Sequence, residues 1–156
     1  MKKILYIFVL IIGLTACETS PKQFNEAVLN FVSDAEIKVN TFDANVQKAM
    51  SKDDAGKINL LAEETTNSLS ARLEDIRNLN PASDGVDLKT SAISYIESLI
   101  DLVQAQKVYS SYTNTITEQE ASSMDDKVAN IIRTVEVNHN IFIEYQQAFA
   151  KAKKLQ

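Results

Sequence analysis

Apolar side chains recur every three or four residues from Phe24 to Ala49: Phe24, Val28, Phe31, Ala35, Val39, Phe42, Val46 and Ala49. That spacing places them along one face of an α-helix. Pro21 suits the first turn, and the helix is expected over 22–50. Around Ser51 to Asp54, polar residues that accept hydrogen bonds from free backbone amides mark a stop and a restart. A second periodic segment, 53–79, carries Ile58, Leu61, Thr65, Leu69, Leu73, Ile76 and Leu79. Its middle, Thr65-Thr66-Asn67-Ser68, has low helix propensity and is its weakest part. Asn80 to Gly85 reads as a turn, because Pro81 disfavours helical geometry before it and Gly85 relaxes the backbone.

The third segment, 86–112, presents Leu88, Ala92, Ile96, Leu99, Val103 and Tyr109, broadened by Tyr95 and Leu102. After a loop at Thr113 to Ile116, Thr117-Glu118-Gln119-Glu120 has the capping-box pattern, in which each end satisfies an orphan amide of the other. The fourth segment, 118–154, then offers Ala121, Met124, Val128, Ile131, Val135, Phe142, Tyr145 and Phe149. Four amphipathic helices joined by short loops predict an all-α, antiparallel up-down-up-down four-helix bundle over 22–156. A three-helix bundle with one broken helix is the alternative. Such a bundle puts both ends of the domain on one side, with the loops near Ser51–Asp54 and Thr113–Thr117 at the opposite tip.

Ahead of this domain the pattern changes. Lys2 and Lys3 precede a run of about eleven mostly apolar residues, Ile4 to Leu14, within the length of a secretory signal's apolar core and short of the ~20 that span a bilayer. Thr15 and Ala16 are small, as a cleavage site requires, and the chain's one cysteine follows. Leu14-Thr15-Ala16-Cys17 resembles the lipobox of bacterial lipoproteins. The resemblance implies cleavage of residues 1–16, diacylglycerol on the Cys17 sulfur and acylation of the new amino terminus, palmitate being a typical acyl group. Residues 17–21 then form a lipidated anchor and short tether into a bilayer. Glu18 after the cysteine resembles the pattern sent to the outer membrane in diderm bacteria. In overall plan the remainder resembles small helical surface lipoproteins of uncharacterised function.

Two or more acyl chains hold a protein stably where one does so marginally. Acylation also removes an unpaired thiol from an oxidising compartment. Few breakers remain, since the whole chain holds 3 glycines and 2 prolines. The formal charge of −5 disfavours a nucleic-acid footprint, which needs a basic stripe. Loss of Lys2 and Lys3 makes the remainder more acidic still. Lys151, Lys153 and Lys154, at the end next to the anchor, either approach headgroups or complement the negative end of the helix dipole, and the dipole is the preferred reading.

Catalytic and cofactor sites lack their parts. Glu136-Val137-Asn138-His139 has the Glu-x-x-His spacing of di-metal bundles, but those need the motif twice and His139 is the 1 histidine present. No Cys-x-x-Cys-His exists for haem, and Met124 stands about 22 Å from His139 along one helix. His139 is expected to be a partly buried hydrogen-bonding residue beside the helix seam. Cys17 is consumed by lipid, and neither a Gly-x-Ser-x-Gly elbow nor a phosphate-cradling loop is present. Adjacent carboxylates such as Glu63-Glu64 and Asp125-Asp126 fan out around a helix rather than converge, and Asp53-Asp54 lacks an oxygen-ligand loop pattern.

The expectation is therefore a membrane-anchored envelope lipoprotein with no catalytic residues, cofactor or metal. It serves as a binding or structural module, with an envelope protein as the partner expected at the membrane-distal tip. The alternative is a carrier or sensor holding a small ligand or metal between helices, with Thr65 to Ser68 lining a pocket opposite Ala35. Tyr109 and Tyr112 near the tip read as core caps before they read as interface anchors.

Overall fold

The computed structural model describes residues 19–52, 54–81, 83–111 and 116–155. Four α-helices carry the chain: α1 (Pro21–Met50), α2 (Ala55–Arg77), α3 (Val86–Ser111) and α4 (Glu118–Lys153). A 3-10 turn at Ser83–Gly85 leads into α3, and no strand occurs among the described residues. The all-helical class with four helices is as expected. Thr65 to Ser68 lie inside an unbroken α2, because burial of Ala62 and Leu69 on either side outweighs their weak propensity.

The helix ends have local causes. The Ser20 hydroxyl accepts a hydrogen bond from the Gln23 amide, with Pro21 in the first turn behind it. Asp54 accepts from the Lys57 amide at 2.9 Å and starts α2. The expected capping box is formed: the Thr117 hydroxyl accepts from the Glu120 amide, and Glu120 accepts from the Thr117 amide at 2.8 Å. At the far end of α4, Lys154 adopts a left-handed φ of 53°. The amides of Lys154 and Leu155 donate back to the carbonyls of Lys151 and Ala150, closing the helix in the Schellman manner.

The core is drawn mainly from α1, α2 and α3. The stripe on α1 is buried as expected, except that Val32 takes the interior place expected for Phe31. Phe31 lies half-buried at the edge beneath the Arg72 guanidinium, 5.8 Å from its ring centre. Arg72 also pairs with Asp34 at 3.0 Å and Asp75 at 2.6 Å, so one arginine covers the ring and links α1 to α2. Leu79 falls beyond the end of α2 and only packs against the core from outside.

α4 departs most from expectation. Of its stripe, only Phe142 and Phe149 are buried. Ala121, Met124, Val128, Ile131 and Val135 are half-covered, and Tyr145 is 41% exposed. The periodicity identifies the apolar face correctly, but the first half of α4 has too little packed against it to bury that face.

One end of the molecule is the tightest. Phe24 of α1 meets Phe149 of α4 edge to face, with ring centres 5.6 Å apart. Gly85 lies against both rings, and a Cβ there would stand 2.7 Å from Pro81 Cβ and 3.0 Å from Phe24. Glycine is needed at this point for close approach, not for an unusual φ. Lys153 pairs with Asp84 of the 3-10 turn, closing this end.

Candidate functional site

Cys17, the residue singled out for lipidation, lies outside the described residues, as does the whole leader 1–16. Thr19 directly precedes the Ser20 cap of α1. The first described residues therefore enter the domain at the tight end formed by Phe24, Gly85 and Phe149. No helix among the described residues is long and apolar enough to cross a membrane.

The lysines expected near this end behave differently from one another. Lys153 is committed to Asp84, whereas Lys151 and Lys154 are exposed. Only those two are free to face a surface.

His139 occupies a junction of three helices. Its Nε2 is 3.8 Å from Glu36 Oε1 of α1, and its ring centre is 5.1 Å from that of Tyr95 of α3. The Tyr95 hydroxyl donates to the same Glu36 oxygen at 3.0 Å, and its ring stacks on Phe142. Burial first, and then the neighbouring Glu36 charge, push the Tyr95 hydroxyl far above the ordinary tyrosine range. The hydroxyl therefore stays a donor to Glu36, and the cluster is a polar tie between α1, α3 and α4. Half-burial of His139 beside the seam is as expected. Its neighbours add two further ties: Asn138 donates to the Ser94 carbonyl, and Gln146 donates to Asn25.

The remaining candidates stay apart. Glu136 is exposed, as are Glu63, Glu64, Asp125 and Asp126, while Asp54 is engaged as a helix cap. No three acidic, histidine or cysteine side chains converge as metal ligands among the described residues. Asp53, Tyr112 and the side chain of Tyr109 lie outside what is described.

The polar patch at Thr65 to Ser68 does not open onto Ala35, which is fully buried. Thr65 and Ser68 instead line an open groove of about 230 Å³ beside Lys38, Thr41 and Asn45. Thr66 accepts a hydrogen bond from Gln104 of α3 at 2.7 Å. A larger and more apolar groove, about 440 Å³, runs between α3 and α4, with Ala105 and Val108 on one wall and Met124, Val128 and Ile131 on the other. Sequence reasoning assigned those α4 residues to the core and so missed the groove. The available signal was side-chain size: the phenylalanines of α4 lie in its second half, and smaller or unbranched side chains fill the first.

Comparison with protein-family models, curated proteins and solved structures finds no match for this chain.

Proposed function

We propose that this protein is a bacterial cell-envelope lipoprotein, tethered to a bilayer through acylated Cys17, whose helical domain is a non-catalytic binding or structural module. The observation that carries this reading is the placement of Leu14-Thr15-Ala16-Cys17 immediately ahead of a helical domain whose first cap is Ser20. Only Glu18 and Thr19 stand between Cys17 and that cap, a reach of at most about 10 Å. In a diderm envelope, Glu18 favours the outer membrane as the destination.

The helices are proposed to run antiparallel, up-down-up-down. Paired positions support this order: Asp34 with Arg72, Arg77 with Glu97, Ser94 with Asn138, and Phe24 with Phe149. The first and last helical turns then share the membrane-proximal end, and the junctions near Ser51 and Thr117 form the distal tip, where an envelope protein partner would bind.

Replacing Cys17 tests the anchor. In a bacterial host, the unaltered chain is expected to incorporate labelled fatty acid and to fractionate with membranes. Cys17→Ser is expected to take up no label and to leave the membrane fraction. Equal membrane retention of both proteins, without label in either, would remove the lipid-anchor reading.

A second reading, a carrier of a small apolar ligand between helices, draws on the α3/α4 groove. It ranks second because this groove is open along the surface, whereas carriers bury most of their ligand.

A further inference from the structure

The face that α4 leaves uncovered has a specific layout. Met124, Val128 and Ile131 are half-covered, and across from them Val108 of α3 is 49% exposed. Between the walls lies the groove of about 440 Å³. Its lining includes one acidic residue, Asp101 on the α3 wall, and one basic residue, Lys127 on the α4 wall. Both are exposed, and neither has an ion-pair partner among the described residues.

An apolar floor with opposite charges on its two walls is complementary to itself. Consider a second copy facing the first, related by a two-fold axis running along the groove. That operation lays α3 of one copy over α4 of the other, so the apolar walls of the two grooves meet. Asp101 of each copy then faces Lys127 of the other, within reach of the long flexible lysine stem. Both unused charges find partners, and each contact is made twice.

We propose that the α3/α4 groove is a self-association face, and that its occupant is a second copy of this chain. A small apolar ligand would leave Asp101 and Lys127 unemployed. A lipid surface is the wrong occupant if Cys17 is the anchor, because Ile131 lies eighteen residues, about 27 Å, along α4 from the membrane-proximal Phe149. The association itself does not rest on the lipid. The axis along the groove does keep both copies pointing the same way, so two anchored chains can pair on one bilayer.

Charge reversal tests the proposal. The full chain is purified in density-matched detergent, and its mass is followed by analytical ultracentrifugation over a range of concentrations. The unaltered chain is expected to dimerise. Asp101→Lys and Lys127→Asp should each weaken the dimer by about tenfold or more, since each sets like charges face to face. The double variant should recover the original association. On the unaltered chain, carbodiimide treatment of mixed light and heavy-nitrogen preparations should give a Lys127–Asp101 cross-link of mixed label. Cys17→Ser should dimerise as well as its parent, which keeps this outcome separate from that of the lipid test. A monomer at every concentration, single reversals without effect, a double variant that stays weak, or cross-links of pure label only would each overturn the assignment.

Discussion

The two halves of α4 carry the same apolar periodicity and meet different fates. Toward the C-terminus, Phe142 and Phe149 are buried, and Gln146, Asn138 and His139 reach Asn25, Ser94 and Glu36. Toward the N-terminus, Met124, Val128 and Ile131 touch little beyond α3 and line an open groove. The difference shows that a helical stripe states which face is apolar, whereas partner helices and side-chain volume decide whether that face is buried. The first half of α4 holds its shape through its cap, and the second through its core.

Truncating side chains in each half of α4 should separate the two halves most strongly. Phe149→Ala and Phe142→Ala are expected to cost about 3–5 kcal/mol in denaturant unfolding, as buried aromatics do. Ile131→Ala, in the groove, should cost under about 1 kcal/mol to the monomer. Equal losses would mean that the groove is part of the core.

The tight end should also resist added volume. In Gly85→Ala the new Cβ meets the Pro81 ring and Phe24, and neither is the free end of a flexible chain. A loss of about 1–3 kcal/mol is expected from such overpacking. An unchanged melting temperature would show that Pro81 and Phe24 pack more loosely against Gly85 than their distances imply.

Thr117→Ala removes the cap of the open half and should cost about 1 kcal/mol. Hydrogen exchange is expected to quicken over the first turns of α4 while amides around Phe142 keep their protection. Acid should act on the same place. The backbone amide of Thr117, and then its hydroxyl, hold the Glu120 carboxyl below the usual carboxylate range. Its contribution is therefore complete above that range and is lost as pH falls through the lowered value. Exchange measured during acidification should show the start of α4 fraying before the Phe24–Phe149 end opens. The reverse order would mean that the start of α4 is held more firmly than the Phe24–Phe149 end.

The helices were legible in the sequence because period and capping are local. Phe24 through Ala49 on α1, the Asp54 cap and the Thr117–Glu120 box depend on residues within a turn or two of one another. What was illegible depends on tertiary packing. Val32 displaces Phe31 from the interior because Arg72, forty residues on, supplies a cover for the ring at the edge. Asn25, Ser91 and Ser98 are buried although polar, satisfied by Gln146 of α4 and by carbonyls of α3. The exposure of Met124 to Ile131 follows from how little of α1 reaches α4, which no local pattern encodes. Cys17 is a motif reading that lies outside the described residues, while the pairing of Lys153 with Asp84 and the unpaired Asp101 and Lys127 emerged only from the fold.

The proposed function turns on a lipid-bearing Cys17 ahead of this helical domain. Intact-mass and peptide mass spectrometry of the protein extracted from bacterial membranes tests it directly. The expected product starts at Cys17 and carries diacylglycerol on its sulfur. A chain that retains residues 1–16, or one whose Cys17 is an unmodified thiol, would contradict it.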